Sequence, residues 1–277
     1  MARSGQRCRF TLGVGMILVL SGVGRAEEGG EDDPQGHWAF QRIERPAVPS
    51  SSGGNPIDAF LGGKRAEKSL RTQPEAERSL LLRRLYLDLL GLPPSREQLR
   101  DERPWEEIVD GLLENPQHGE RWARHWMDVV RFGETKAFEA DYTMPYVDRY
   151  RDYLIRAFND DVPFDQFVME ALAGDRLPEP RLNRKTGDNE SVAGPGFLYL
   201  TDGQHGPPDI HSDEARVFDS MIKVTGVAFQ GLTLACARCH DHKFDAITDE
   251  DYYSFYGMLR SSRLHYANLA PPARKKE

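Results

Sequence analysis

The chain has 277 residues, with 36 Lys and Arg against 44 Asp and Glu and a formal net charge of -8 at pH 7. That balance argues against a nucleic-acid backbone as the partner, because neutralising phosphates takes a cationic face. Three cysteines in a chain of this length exclude a disulfide-stapled scaffold, and the length suffices to bury a substantial core without staples.

Residues 1–26 read as a cleaved export signal. Arg3, Arg7 and Arg9 precede an apolar run from Leu12 to Val23, and Gly24 and Ala26 are the small residues a signal peptidase reads. The run is short and glycine-interrupted for a membrane span, so an uncleaved anchor is the second reading. Cleavage removes four Arg and no acidic residue, which takes the formal charge to -12. It also removes Cys8 and leaves Cys236 and Cys239. The expected location is exported, periplasmic or extracellular. Residues 27–55 are acidic and then rich in Pro, Ser and Gly, the composition of a linker. Within it His37, Trp38 and Phe40 read as a strand or loop laid over the domain, or as a short docking motif.

The folded domain is expected over 56–260, with a tail at 261–277. Asn55 can cap, Pro56 fits a first helical position, and Asp58 faces the positive end of the helix dipole. "PEAERSLLLRRLYLDLLGLPP" predicts a helix with Leu81, Leu82, Leu85 and Leu89 on one face, Gly91 as C-cap and Pro93 as a stop. "SREQ" from Ser95 resembles a capping box. A helix over 105–113 ends before Asn115 and Pro116. In "HGERWARHWMDVVRF", Trp122, Trp126 and Val129 recur at helical spacing, with Arg121, His125, Asp128 and Arg131 on neighbouring turns. This is either an aromatic core stripe with a paired charged flank, or a cleft lined by His125, Asp128 and the arginines.

Two further helices flank a turn from Asp160 to Pro163, the second closed by Gly174. Periodicity fades between Arg176 and Gly196, which predicts a long surface connection. Residues 212–234 can form a long helix with Val217, Met221, Val224, Ala228 and Leu232 aligned, and a last helix starts at Thr248 or Asp249. The expected fold class is mostly α: a single helical domain with long connecting loops, not a simple four-helix bundle, and with no evident sheet.

"CARCHDHKFDAI" holds both remaining cysteines. A c-type haem is attached through two cysteines two residues apart, with the next histidine as the axial ligand. Cys236, Cys239 and His240 meet that pattern in a chain with an export signal, and attachment follows export. Zinc is the first alternative, with Cys236, Cys239, His240 and His242 as donors, or with His205 or His211 drawn in from the preceding loop. A local disulfide or an exchange-active pair is the third. With haem, His205, His211, His242, Met221 and Met258 are the candidates for the sixth iron position, His205 first. Met221 lies on an apolar stripe and reads as core filler, while His242 can serve in support of the ligands. Two strong protein ligands favour electron transfer; an open position favours small-ligand or peroxide chemistry. Asp209, Asp213 and Glu214 are a conceivable carboxylate set for hydrolysis, although helix caps and solvated surface explain such residues. There is no glycine-rich phosphate cradle, nucleophile-elbow serine or metalloprotease motif.

The blocks "IDAFL", "LLRRLYLDLLGLPP", "HGERWARHWMDVVRF", "YRDYLIRAFNDDVPFDQFVMEALAGD", "GFLYL" and "FQGLTLACARCHDHKFDAITDEDYYSFYGML", in this order, resemble the planctomycete family known as domain of unknown function 1549. The resemblance runs from about Ile57 to about Leu259. It implies a large exported protein in which this domain stands with a cytochrome-c-like domain and a second domain of unknown function, with a link to polysaccharide breakdown by association. The family's "CARCHDHK" block falls on Cys236 to Lys243, and a histidine after the "GFL" block corresponds to His205. The chain departs from the pattern in having no obvious upstream cytochrome domain and in stopping soon after "YYSFYGML". It is expected to be a free-standing redox or binding subunit, or a shortened member. The preferred expectation is an exported c-type haem protein with a redox partner. The alternative is a structural or binding domain with a zinc or disulfide site, and a carbohydrate link rests on the resemblance alone.

Overall fold

Residues 41–49, 55–136, 142–201 and 207–270 are described by a computed structural model. The export signal, most of the linker with His37, Trp38 and Phe40, and the end of the tail lie outside the described residues. The chain divides into one unit up to Val48 and another over Pro49–Glu277. Residues 41–48 of the first are exposed and carry no helix or strand.

In the second unit the capping residues set the helix starts. Asn55 Oδ1 accepts from the Ile57 amide at 2.8 Å and opens α1, Pro56–Glu67; Asn115 does the same at 3.0 Å for the Gln117 amide and opens α4, Pro116–Val129. Between them lie α2, Arg78–Leu89, which ends ahead of Gly91, and α3, Trp105–Leu113. Ser95 and Gln98 exchange hydrogen bonds as a capping box, but the element they start is only a 3₁₀-helix, Gln98–Arg100. Then come α5, Val147–Asn159, and α6, Phe164–Ala173, followed by a 3₁₀-helix, Ser191–Tyr199. The chain continues with α7, Ile210–Gln230, a 3₁₀-helix Leu234–Arg238, and α8, Asp249–Arg260. The only strands among the described residues are β1, Thr135–Lys136, and β2, Tyr142–Thr143, a two-residue antiparallel pair. The fold is mostly α, and among the described residues no helix is long and apolar enough to cross a membrane.

Three apolar clusters hold these elements. The largest joins Ala123 and Val130 at α4 with Tyr150, Tyr153 and Leu154 of α5, Phe167 of α6, Phe197, and Val224 of α7. A second packs Leu82, Tyr86 and Leu90 against Ile108 and Leu112 of α3. The buried face of α2 is thus centred on Leu82 and Tyr86, with Leu85 and Leu89 at its edge. The third sets Ile222 of α7 against Ala237, Ile247 and Tyr252. α7 serves two clusters at once, so Ser220, Met221, Ile222, Val224, Thr225 and Gly226 are all buried, with Lys223 exposed between them. Its end falls short of the expected Leu234, because Gly231 turns left-handed at φ +66.

Two expectations change in three dimensions. The stretch from Arg176 to Gly196 is a surface connection only as far as Asp188: Asn189, Glu190 and Ser191 are buried, and Ser191, Gly194, Phe197 and Leu200 turn inward at every third residue. Three is the 3₁₀ period, so a search at 3.6 passes over it. On α4, Gly119 and Ala123 form the buried stripe, and Trp126 packs edge-on against Phe167 at 4.9 Å. Trp122 and Val129 are exposed.

A polar knot ties α5 and α6 to the 176–191 segment. Glu170 is fully buried and accepts from Arg181 through two nitrogens at 3.0 Å each, from Tyr153 Oη at 2.8 Å and from Ser191 Oγ at 3.0 Å. Nearby Arg156 donates twice to buried Glu190, at 2.8 and 2.9 Å. Burial holds the Tyr150 hydroxyl above the ordinary tyrosine value; burial, and then the Glu170 carboxylate, do the same for Tyr153. Both stay protonated in the fold where the unfolded chain ionises, so their contribution to stability is complete below a pH of about 10 and lost above it. The unfolding free energy from urea titrations is expected to hold level up to that pH and then fall by about 1.4 kcal/mol per pH unit for each tyrosine. A level profile well into the alkaline range would contradict the burial of these hydroxyls.

Candidate functional site

The cysteine motif lies where α7 hands over to α8. After Gly231 the chain makes one tight turn, Leu234–Arg238, closed at its start by the Cys236 amide donating to the Thr233 carbonyl at 3.0 Å. Ala237 is the inward knob of that turn, fully buried against Ile222, Ile247 and Tyr252. With Ala237 pointing in, its neighbours Cys236, Arg238, Cys239 and His240 point out, and all four are exposed. Both thiols are free.

His240 Nδ1 lies 2.7 Å from the Asp241 carbonyl oxygen. A carbonyl only accepts, so Nδ1 carries the hydrogen and Nε2 keeps its lone pair. That tautomer is the one an iron or zinc ligand needs, with the distal nitrogen oriented by a backbone hydrogen bond on the other.

The loop that follows is folded around His242, whose side chain is only 6 % exposed. Its Nδ1 accepts from the backbone amides of Asp245 at 3.0 Å and Phe244 at 3.3 Å, and its Nε2 is 2.8 Å from Thr233 Oγ1. Asp245 Oδ2 also stands 3.1 Å from Nδ1, which gives a hydroxyl, imidazole and carboxylate the order of a hydrolase triad. The two backbone donors decide against that role. They claim the Nδ1 lone pair, leave the hydrogen on Nε2, and make the ring a donor to Thr233 rather than a base for it. His242 is a staple of the loop.

Three further contacts fix the turn. Asp219 of α7 accepts from Tyr252 Oη at 2.6 Å and faces Arg238 Nη1 at 3.6 Å. Tyr253 Oη donates to the Arg238 carbonyl at 3.0 Å. Asp241 Oδ1 accepts from the Asp249 amide at 3.0 Å, at the start of α8, where Thr248 and Asp251 form the capping box. Burial, and then Asp219, push the Tyr252 hydroxyl above its ordinary value. None of Asp219, Thr233, Tyr252 and Tyr253 has a local sequence signature; they meet only through the packing of α7 and α8.

The other candidates disperse. His205 lies outside the described residues. His211 is exposed near the start of α7, and Asp209 caps that helix by accepting from the amides of His211 and Ser212. Asp213 pairs with Arg216 one turn on, so the carboxylate set resolves into a cap and an ion pair, with Glu214 exposed. Met221 is core, at 5 % exposure, and Met258 stands 66 % exposed on α8. His125 and Asp128 lie on the exposed side of α4, His125 edge-on to Trp122 at 5.5 Å. Among the described residues no three His, Cys, Asp or Glu side chains come together as a metal cage. Cys236, Cys239 and His240 stand exposed within residues 236–240, with both thiols free and the Nε2 lone pair of His240 uncommitted to the Asp241 contact. Exposed Phe244 follows them in the loop, and exposed Tyr253 is bonded to the turn itself.

A family model described as a protein of unknown function (DUF1549), PSCyt2, matches residues 56–264. No curated protein and no solved structure matches the chain.

Proposed function

The chain belongs to the family described as protein of unknown function (DUF1549), and from there we propose that it is an exported c-type haem protein, the redox component of a larger assembly. Cys236 and Cys239 carry the porphyrin and His240 Nε2 ligates the iron. The observation that carries this reading is the exposure of all three side chains within residues 236–240, with His240 Nδ1 already committed to the Asp241 carbonyl. A haem held there supplies one-electron chemistry. The protein's own part is to hold the imidazole orientation through Asp241, and the turn through Thr233, His242 and Asp219. The export reading is supported by the pattern of residues 1–26.

The test is a pyridine haemochrome spectrum of protein exported and purified from a host with active haem-attachment machinery. A c-type spectrum is expected, together with its complete loss in the Cys236→Ala, Cys239→Ala double variant. Folded wild-type protein without haem would sink the reading, and metal and thiol analysis would then decide between zinc and a bridge.

A further inference from the structure

We propose that the Cys236–His240 turn is built in the folded protein before any group is attached, so that the domain takes up its porphyrin as a folded body, with Asp219 as a positioning residue. The identity of the group rests on the haem reading; the prefolded turn does not.

Contacts from α7, α8 and the loop between them shape the turn. The Cys236 amide closes it on Thr233, Ala237 seats it in the cluster of Ile222, Ile247 and Tyr252, and Tyr253 holds the Arg238 carbonyl. His242 and Asp241 fasten its far side to Thr233 and to the start of α8. Cys236, Cys239 and His240 themselves belong to none of the three apolar clusters. A small metal domain behaves in the opposite way: its ligands are its core, and it unfolds without the metal. Here the donors stand outside a core that is complete without them.

Asp219 connects the turn to the rigid part of the fold. It sits on α7 immediately before the buried residues Ser220, Met221 and Ile222, and it takes Tyr252 of α8 on one oxygen and faces Arg238 with the other. Arg238 lies between the two cysteines in sequence. The orientation of the turn relative to α7 therefore passes through this carboxylate.

The experiment uses the exported chain from a host without attachment machinery, reduced with a phosphine and desalted. An aromatic disulfide reagent reads the thiols: each thiolate attacks the reagent's S–S bond, a mixed disulfide forms, and the aromatic thiolate leaves and is counted by its colour. Two thiolates per folded chain are expected, at a rate within about tenfold of the same chain in denaturant, and level with urea below the unfolding transition. A rate that climbs with urea, or an unmodified chain that does not fold, overturns the proposal. In Asp219→Asn the amide oxygen still serves Tyr252 but the charge facing Arg238 is gone. Its thermal midpoint is expected to match wild type, while covalent porphyrin uptake by the folded protein, in which each thiol S–H adds across a vinyl C=C and nothing leaves, slows about two- to fivefold, the scale of a half-exposed ion pair. Unchanged uptake removes Asp219 from the positioning role. Reactive thiols on a wild-type protein that never takes haem would leave the prefolded turn standing and remove the haem reading; protected thiols would remove the turn whatever the haem result.

Discussion

Gly174→Ala and Gly194→Ala are each expected to destabilise the fold by about 3 kcal/mol or more, the upper end of the range for overpacked cores. The two glycines face each other's helices. A Cβ on Gly174, at the end of α6, would stand 1.8 Å from the Ser191 carbonyl oxygen and 2.5 Å from that of Glu170; one on Gly194, in the 3₁₀-helix, would stand 2.2 Å from the Glu170 carbonyl oxygen. The obstacles are backbone atoms, which cannot swing aside as a side-chain end can. Neither glycine is needed for its own dihedral angles: Gly174 has ordinary right-handed values, with φ at -60. Close approach alone requires them. Gly111→Ala is the control, since that glycine lies within α3 with nothing within 4 Å of an added Cβ. It is expected to gain about 0.5–1 kcal/mol through helix propensity. Urea midpoints of the three variants measure this, and a Gly174→Ala protein as stable as wild type would mean that α6 and the 3₁₀-helix do not cross at backbone distance.

The same crossing shows where sequence reasoning stops. Elements announced by local chemistry were legible: Asn55 ahead of proline, the residues 105–113, and Thr248 at the start of α8 all fall where capping and periodicity put them, while Asn115, read only as a stop, caps α4. Gly174 was legible as the end of α6, but its reason was not, because the atom it avoids belongs to Ser191, seventeen residues on. The 3₁₀-helix through Pro195 hid its apolar face in a period of three. In α4 the aromatic spacing misled, since the deepest positions belong to Gly119 and Ala123 and the exposed ring to Trp122. The cysteine motif was legible as donors and spacing. What orients it was not, because Asp219, Thr233 and Tyr252 are ordinary polar residues until α7 and α8 pack. His242 was read as a metal donor or a support for one; in the structure both of its ring nitrogens are taken by the loop it fastens.

Glu170→Ala is expected to cost about 3–5 kcal/mol, the range for removing one member of a buried ion pair. Glu170 has no exposed surface and the Arg181 side chain has 13 %. Removing the carboxylate leaves the guanidinium with the more distant Asp160 Oδ2, at 3.5 Å, and takes the acceptor from the Tyr153 and Ser191 hydroxyls. Burial alone would make Arg181 easier to deprotonate, yet the hydrogen bonds and charge of Glu170 reverse that and hold it above its ordinary value. With Glu170 gone that support goes too, but an arginine keeps its charge regardless, so the guanidinium cannot shed it to escape the loss. A second variant separates this cause from simple loss of packing. In Glu170→Leu with Arg181→Met, both charges leave and apolar volume replaces them, so the double variant is expected to be more stable than the sum of the single losses by up to about 3 kcal/mol. Some loss will remain, since the two hydroxyls still lack their acceptor. Additive losses in a denaturant-based double-mutant cycle would mean that the two residues act separately and that the knot is not what fixes the 176–191 segment. Coupled losses identify it as the polar counterpart of the glycine crossing. Contact at backbone distance sets how near the 3₁₀-helix can come to α6, and the buried carboxylate selects which residues of the segment meet there.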